Sequence, residues 1–388
     1  MRLILTNLKH FFITATLLLV TLITAAVAFG VDIDMGDNDL AYKLGGEGPH
    51  VFYEGDNIAA HYIKGGGKEG FYIEKEYMAP DGQLDAEVYF PLEDSTFNLT
   101  ITPHVETPKA VYNDGEPIVA ISDVESNFKT FRDFLIAQQV IDADLNWTFG
   151  KGHLVLVGDF VDRGDSTTQV LWFIYKLEQE AKAAGGTVHF ILGNHEIKNL
   201  QGNFQKAADK YFYVAAALKK QEFDLFGDDA LLGRWMASKN TIERINGYLF
   251  VHGGLHPDIV EAGYSLDELN TIVRNQYRQA YVPTQDEAAE AVLVHRRKGP
   301  SWYRGYFEAD LSQETVEKGL KHFGAKAVVV GHQPQWSVGK HYDGKVFAVN
   351  VKHPKDYRGS FPSKRSEGLL LNGVDAFRLL DDGTKEQL

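Results

Sequence analysis

The chain has 388 residues, 44% hydrophobic and 24% charged, enough to bury a substantial core and carry a second, smaller module. Its formal net charge of -14 argues against broad nucleic-acid binding, which needs many lysines and arginines to displace counterions, although a local basic pocket is compatible with it. With no cysteine, disulfides, thiolate nucleophiles, iron–sulfur clusters and cysteine-ligated zinc are excluded, and any metal must be held by oxygen and imidazole nitrogen.

Residues 1–28 read as a signal peptide. Arg2 and Lys9 give a positive start, 11–29 is almost wholly apolar, and Ala26-Val27-Ala28 offers the small-x-small pattern of a cleavage site. Retained, the same run is nearly long enough to anchor the chain in a bilayer. The body is therefore expected in the periplasm or secreted, or held outside the cytoplasm on an anchor, with membrane contact only in the last case. Residues 31–115 are rich in Gly, Tyr and Phe and punctuated by glycines at 65–67 and Pro-Asp-Gly at 80–82. Alternating stretches at 61–63, 70–77 and 84–89 predict a small β-rich module, closed by the turn Asn113-Asp114-Gly115.

From 116 to 388 the rhythm becomes that of a larger domain. Apolar runs at 118–121, 154–157, 188–192, 248–251, 327–330 and 346–349 predict strands with helices between several of them. After Ser166 or Thr167 as a cap, Val170, Ile174, Leu177 and Ala181 recur at helical spacing until Gly185-Gly186 stops the helix. This pattern implies an α/β sheet covered on both faces. A mostly helical insert is predicted over about 204–243, where Tyr211, Phe212, Tyr213 and Trp235 are placed to shape a groove or simply to pack. The closely spaced runs at 369–371 and 376–379 predict antiparallel strands.

Nearly every predicted strand ends in a side chain able to hold a metal. Asp123 and Glu125 follow the first, Asp159 and Asp162 the second, Asn194 and His195 the third, His252 the fourth and His332 the fifth. Singly, each reads equally well as a turn, a cap or a core residue. Five in succession put polar ligands along one sheet edge, where open α/β sheets build their sites. Asp159 has two oxygens with which to bridge two cations about 3–4 Å apart. Asp123 and Glu125 complete one carboxylate shell with His332 near it, while Asn194 and His252 serve the second ion. Arg163 and Arg304, the latter in Ser301-Trp302-Tyr303-Arg304-Gly305, present planar forks suited to phosphate oxygens. Trp302 and Tyr303 are thereby candidates for the rim. His195, oriented by Asp162, is the candidate acid for a leaving oxygen. The chemistry these residue types support is hydrolysis of phosphate esters by hydroxide generated on the metals.

The motifs GDFVDRG at 158–164 and GNHE at 193–196, followed in order by HGGL at 252–255, Arg304-Gly305 and Gly331-His332, make the chain resemble the calcineurin-like metallophosphoesterases. Within them it is similar to the phosphoprotein phosphatase branch and its bacterial Shewanella-like members. The resemblance covers about 117–350. It implies a mixed α/β, α+β fold with a central β-sandwich flanked by helices, beside the small N-terminal β-rich module. It also implies Asp159 as bridging ligand with Asp123, Asn194, His252 and His332 around it, Arg163 and Arg304 on phosphate, and His195 with Asp162 as the acid pair. Two divalent or trivalent ions are implied, manganese foremost, with iron, zinc or magnesium as alternatives. The substrate class is a phosphorylated protein or peptide, or else a small phosphate ester or nucleotide. The family's first motif, Gly-Asp-x-His-Gly, is here Ser122-Asp123-Val124-Glu125-Ser126. A carboxylate in place of imidazole is a harder ligand that adds negative charge, favouring manganese or magnesium. It also leaves open a weakened enzyme that acts as a metal-stabilised interaction protein.

Overall fold

The computed structural model describes residues 2–28, 33–35, 44–66, 69–285, 288–308 and 311–388. Gly67 of the predicted glycine turn, and residues 29–32 beyond the candidate cleavage point, lie outside them.

Two six-stranded sheets lie face to face. In the first, Thr187–Phe190, His153–Leu156 and Ile118–Ile121 run parallel, and Glu367–Asn372, Asp375–Leu380 and Lys385–Gln387 continue the sheet as an antiparallel ribbon. The late strands are thus the other half of this sheet, because Leu369–Leu371 pairs with Ile118–Ala120. The second sheet orders Gly339–His341, Val346–Ala348, Ala327–Val330, Tyr248–Val251, Ile242–Ile245 and Val111–Tyr112. Its strands Tyr248–Val251, Ala327–Val330 and Val346–Ala348 are mutually parallel. Side-chain alternation explains the stacking. Ile118, Ala120, Val155 and Val157 share a buried cluster with Phe250, Val329, Phe347 and Val349, which fills the space between the sheets. Val119, Ile121, Leu154 and Leu156 point the other way, into the core beneath the helices. Continuous apolar runs on the strands, which alone indicate only a doubly covered sheet, are here covered by a sheet on one face and helices on the other.

The helix Thr167–Ala184 starts after Ser166 and ends at Gly185, whose left-handed backbone (φ 83°) closes the last turn. It is buried well beyond its predicted stripe: Leu171, Trp172, Phe173 and Tyr175 are covered too. A helix apolar all round needs a second partner, and the N-terminal strands supply it. Glu47–Glu54, Asn57–Gly66 and Gly70–Met78 form an antiparallel sheet, with Leu84–Phe90 and Ser95–Ile101 as a hairpin beside it. Trp172 Nε1 donates to the Pro49 carbonyl (2.7 Å), and Tyr175 Oη donates to that of Thr102 (2.7 Å). The fully buried Lys210 pairs with Glu47 across the same seam (2.8 Å). The β-rich module therefore shares the main core.

Between residues 204 and 241 lie the helices Lys210–Ala217 and Leu231–Ala237 and the 3-10 turn Glu222–Phe226; Glu243, at the edge of the predicted insert, is already in a strand. The N-terminal helix Arg2–Ala28 includes a stretch, Leu5–Ala28, long and apolar enough to cross a membrane or to act as a signal sequence.

Candidate active site

Parallel pairing brings the carboxyl ends of three strands in each sheet to the same edge of the sandwich, and the loops leaving them meet there. From the first sheet come Asp123, Asp159 and Asn194; from the second come His252 and His332. Bonds across the sandwich fix their relation. His252 Nδ1 donates to the Val157 carbonyl (2.7 Å), and the His332 backbone N–H donates to Asp123 Oδ2 (3.1 Å). The loops are sharply turned: Asp123, Glu125, Asp159, Asp162, Arg163 and His332 all have φ between 53° and 69°. Non-glycine residues seldom adopt this conformation, and holding six of them in it costs stability that the surroundings must offset. Gly158 is required on two counts. Its φ is 82°, and a Cβ there would lie 2.5 Å from His252 Nδ1 and 2.7 Å from the Cα of Gly193.

Asp159, His252 and His332 place ligand atoms within 4.8 Å of one another, all of them buried. Asp159 Oδ2 is 3.1 Å from His252 Nε2, which is 3.2 Å from His332 Nδ1. Asn194 Oδ1 and His332 Nε2 are buried with no hydrogen-bond partner among the described residues. Unpaired buried acceptors are costly, and a cation is the partner that a carboxylate, an amide oxygen and two imidazoles in one place would share. The residues therefore fit a metal centre. The charges agree. Burial pushes the Asp123 carboxyl up to about 7, with His252 opposing and Asp159 adding to the rise. Burial opposes ionisation of Asp159, but His252 and His195 hold its carboxyl below the usual range. Burial likewise disfavours a charged His252, yet Asp159 lifts it to about 9.

Glu125 lies at the cleft with its Oε1 ion-paired to Arg163 Nη1. Burial raises its carboxyl above the ordinary value, with Arg163 opposing. His195 Nδ1 is 2.6 Å from Asp162 Oδ2, while its Nε2 lies 3.4 Å from Arg163 Nη2 and 3.8 Å from Asp159 Oδ2. Burial works against the imidazolium, but Asp159 and Asp162 together raise its pKa. Arg304 lines the same cleft, of about 590 Å³. The ten candidates for metal ligands, phosphate contacts and the acid pair all lie in or against this cleft.

Other members of the machinery carried weaker signals. Glu196, the last letter of GNHE, is fully buried, and its carboxylate accepts the backbone N–H groups of Asp159 (2.9 Å), Phe160 (2.7 Å), Val161 (3.2 Å) and Gly193 (2.8 Å). It ties two ligand loops together. Asn199, one turn after His195, donates to Asp162 Oδ1 (2.8 Å) and so fixes the carboxylate that orients the imidazole; its i+4 spacing from His195 was the available clue. His353 bonds the Ser122 carbonyl (2.9 Å) from a loop that no motif marks. Trp302 and Tyr303, by contrast, are not among the side chains lining the cleft, and Tyr303 packs edge-on against His256 and Tyr306. Tyr211 and Trp235 are core residues, while Phe212 and Tyr213 are exposed away from the cleft lining.

Residues 116–336 match the family model of the calcineurin-like phosphoesterases. The chain belongs to that family. This phosphoesterase also superposes on the crystal structure of a cold-active protein-tyrosine phosphatase of a psychrophilic Shewanella species, with TM-score 0.75, 30% identity, and coverage of 88% of this chain and 99% of that one. It is 25% identical over 299 residues to Shewanella-like protein phosphatase 2 of Arabidopsis thaliana, which spans 64% of this chain and 72% of the relative. It is 26% identical over 247 residues to Shewanella-like protein phosphatase 1 of Plasmodium berghei, spanning 60% and 66% respectively. Family, fold and His/Asp cluster make the chain a metal-dependent phosphatase.

Proposed function

We propose that this phosphatase removes phosphate from phosphorylated proteins or peptides outside the cytoplasm, using two metal ions. The observation that carries the reading is the 30% identity to a protein-tyrosine phosphatase over nearly the whole of both chains, joined to a cleft that holds two arginines beside the His/Asp cluster.

Asp159, Asn194 and His252 would hold one ion, joined by His332, which the sequence reading put beside the Asp123 shell but whose Nδ1 is 3.2 Å from His252 Nε2; Asp159, Asp123 and Glu125 would hold a second, and manganese suits that oxygen-rich shell. When bound, the ions supply Lewis acidity and lower the pKa of water. Arg163 and Arg304 bind the phosphate oxygens and offset the charge that builds on them. His195 holds a proton at Nε2, with Nδ1 fixed by Asp162, and delivers it to the leaving oxygen. Glu196 keeps the Asp159 loop rigid while this happens. The N-terminal helix, removed as a signal sequence or kept as an anchor, would direct the domain to the periplasm or beyond.

Phosphate release should be measured on matched phosphotyrosine, phosphoserine and phosphothreonine peptides and on a nucleotide, with manganese and after chelation. Turnover of peptides that is lost on chelation is expected, with phosphotyrosine fastest. Turnover of the nucleotide alone would replace the protein substrate with a small phosphate ester.

A further inference from the structure

The N-terminal end of the chain reaches the rim of the cleft. The strand Ile33–Met35 pairs antiparallel with Gly359–Phe361, Ile33 opposite Phe361 and Met35 opposite Gly359. Gly359–Phe361 lies between Lys355 and Lys364, which both line the cleft. The N-terminal helix ends at Ala28, and from there to Ile33 the chain spans about 17 Å at full extension. The end of that helix is therefore tied close to one bank of the cleft, and Phe361 sits at the end of the strand pair nearest to it.

The length of the helix favours its retention. Residues 11–28 carry no charged side chain, a longer run than the roughly 7–15 apolar residues of a cleaved signal. The stretch Leu5–Ala28 has 24 residues, which rise about 36 Å against a hydrocarbon core of about 30 Å, and its apolar window is not buried against the rest of the chain. Arg2 and Lys9 near its start favour a cytoplasmic N-terminus, which puts the phosphatase domain outside. The bank to which the helix is tied also exposes two large aromatic side chains: Trp336 is 81% exposed and Phe361 49%. Trp336 is held at the rim by its neighbours. The Gln335 N–H donates to the Asn350 carbonyl (2.9 Å) and Gln335 bridges to Val351, while Pro334, Asn350 and Val351 line the cleft. A tryptophan ring this open leaves a large apolar area in water, and the boundary between lipid and water is where such rings are best accommodated.

We propose that the N-terminal helix stays in the bilayer and that the bank carrying Trp336 and Phe361 rests on the bilayer surface, so that the cleft opens beside the lipid headgroups and takes phosphorylated segments of membrane-bound proteins. The substrate class rests on the phosphopeptide reading above; the bilayer contact does not. The strand pair sets the orientation. A domain on a free tether would turn every face to the membrane, whereas one held at Gly359–Phe361 presents this bank. A phosphorylated segment confined to the same surface then meets the cleft at a high effective concentration, and one in bulk solution does not.

The test uses the full chain reconstituted in phosphatidylcholine vesicles. Brominated phosphatidylcholine should quench a share of the tryptophan fluorescence, and that share should be missing in Trp336→Phe. One phosphopeptide is then compared in soluble form and with an acyl chain that holds it on the same vesicles. The acylated form should be preferred in kcat/KM by about tenfold or more. Trp336→Ser with Phe361→Ser should lose most of this preference and leave the rate on a soluble aryl phosphate unchanged. Both proteins are anchored, so confinement to the surface is the same in each and the difference reads orientation. Quenching of equal size in Trp336→Phe, an undiminished preference in the double variant, or a chain that begins at Phe29 when recovered from its host would overturn the proposal. Quenching of Trp336 with no hydrolysis of either peptide would uphold the bilayer contact and remove the phosphopeptide reading instead.

Discussion

Glu125 Oε1 is ion-paired to Arg163 Nη1, so the residue that stands where the family places a histidine engages one of the two arginines proposed to bind phosphate. In the proposed centre its other oxygen would serve a cation beside Asp123 and Asp159. Changing Glu125 to Gln removes the charge that serves both partners and keeps the shape. Metal affinity should fall about tenfold or more, as when a supporting group of a metal site is lost. Glu125→His should restore the metal content. The check is the metal-to-protein ratio after dialysis at fixed free manganese; an unchanged ratio in the Gln variant would confine Glu125 to holding Arg163.

With His195 as the proposed acid, its contact with Asp162 should set the alkaline limb of the pH–rate profile. Asp159 and Asp162 overcome burial and hold the imidazolium above its ordinary pKa, so the acid stays protonated past the ordinary imidazole value and is lost only when pH passes the raised one. Asp162→Asn should therefore move the alkaline limb to lower pH. His195→Asn should lower kcat by about 10²–10⁴, the usual contribution of a general acid. The loss should be smaller on p-nitrophenyl phosphate, whose leaving group needs little protonation, than on an alkyl phosphate. Equal losses on both would remove His195 from the proton-transfer role.

Lys210 and Glu47 form a buried pair at the seam between the N-terminal strands and the helical insert, with His50 3.6 Å from the same carboxylate. Lys210→Met leaves a buried carboxylate without its main partner and should cost about 3–5 kcal/mol, read as a lower denaturation midpoint. The double change Glu47→Leu with Lys210→Met should recover most of that loss. Burial opposes ionisation of Glu47, but Lys210 and His50 outweigh it and depress the folded pKa. The pair's contribution is therefore complete above the unfolded carboxyl value of about 4.3 and declines as pH falls below it toward the folded value. In the double variant this part of the acid sensitivity should vanish.

Chelation should also lower thermal stability. Asp123 and Asp159 are buried side by side, and a cation bound only by the folded chain stabilises it by about 2.7 kcal/mol at a hundred times its Kd. A fall in Tm of several degrees is expected, reversed by added manganese. In Asp159→Asn the gap between loaded and chelated protein should narrow. A gap of undiminished size would mean that Asp159 is not a ligand.

The convergence of the proposed ligand residues was legible because each ends a strand, and strand ends in parallel pairs fall together whatever the tertiary detail. The sandwich was not legible from the strands alone. An apolar run such as Val328-Val329-Val330 looks the same whether a helix or a second sheet covers it, and only the family resemblance supplied the second sheet. The extra burial of Thr167–Ala184 was missed for a similar reason: Trp172 bonds Pro49, more than a hundred residues earlier, and Phe173 packs on Phe97, contacts that local periodicity does not encode. Glu196 went unassigned because it works through backbone N–H groups, which leave no trace in residue type.

The constellation at the sandwich edge depends only on where two sets of strand ends lie relative to one another. The loop that carries Lys352 and Lys355 and the segment that carries Lys364 are attached to the same scaffold, yet supply none of the ligand side chains. The reaction centre and the segments bordering its cleft are therefore carried separately in this architecture. The surrounding loops can be exchanged to admit a different phosphorylated surface while the reaction centre stays as it is, which makes them the place to graft a new preference.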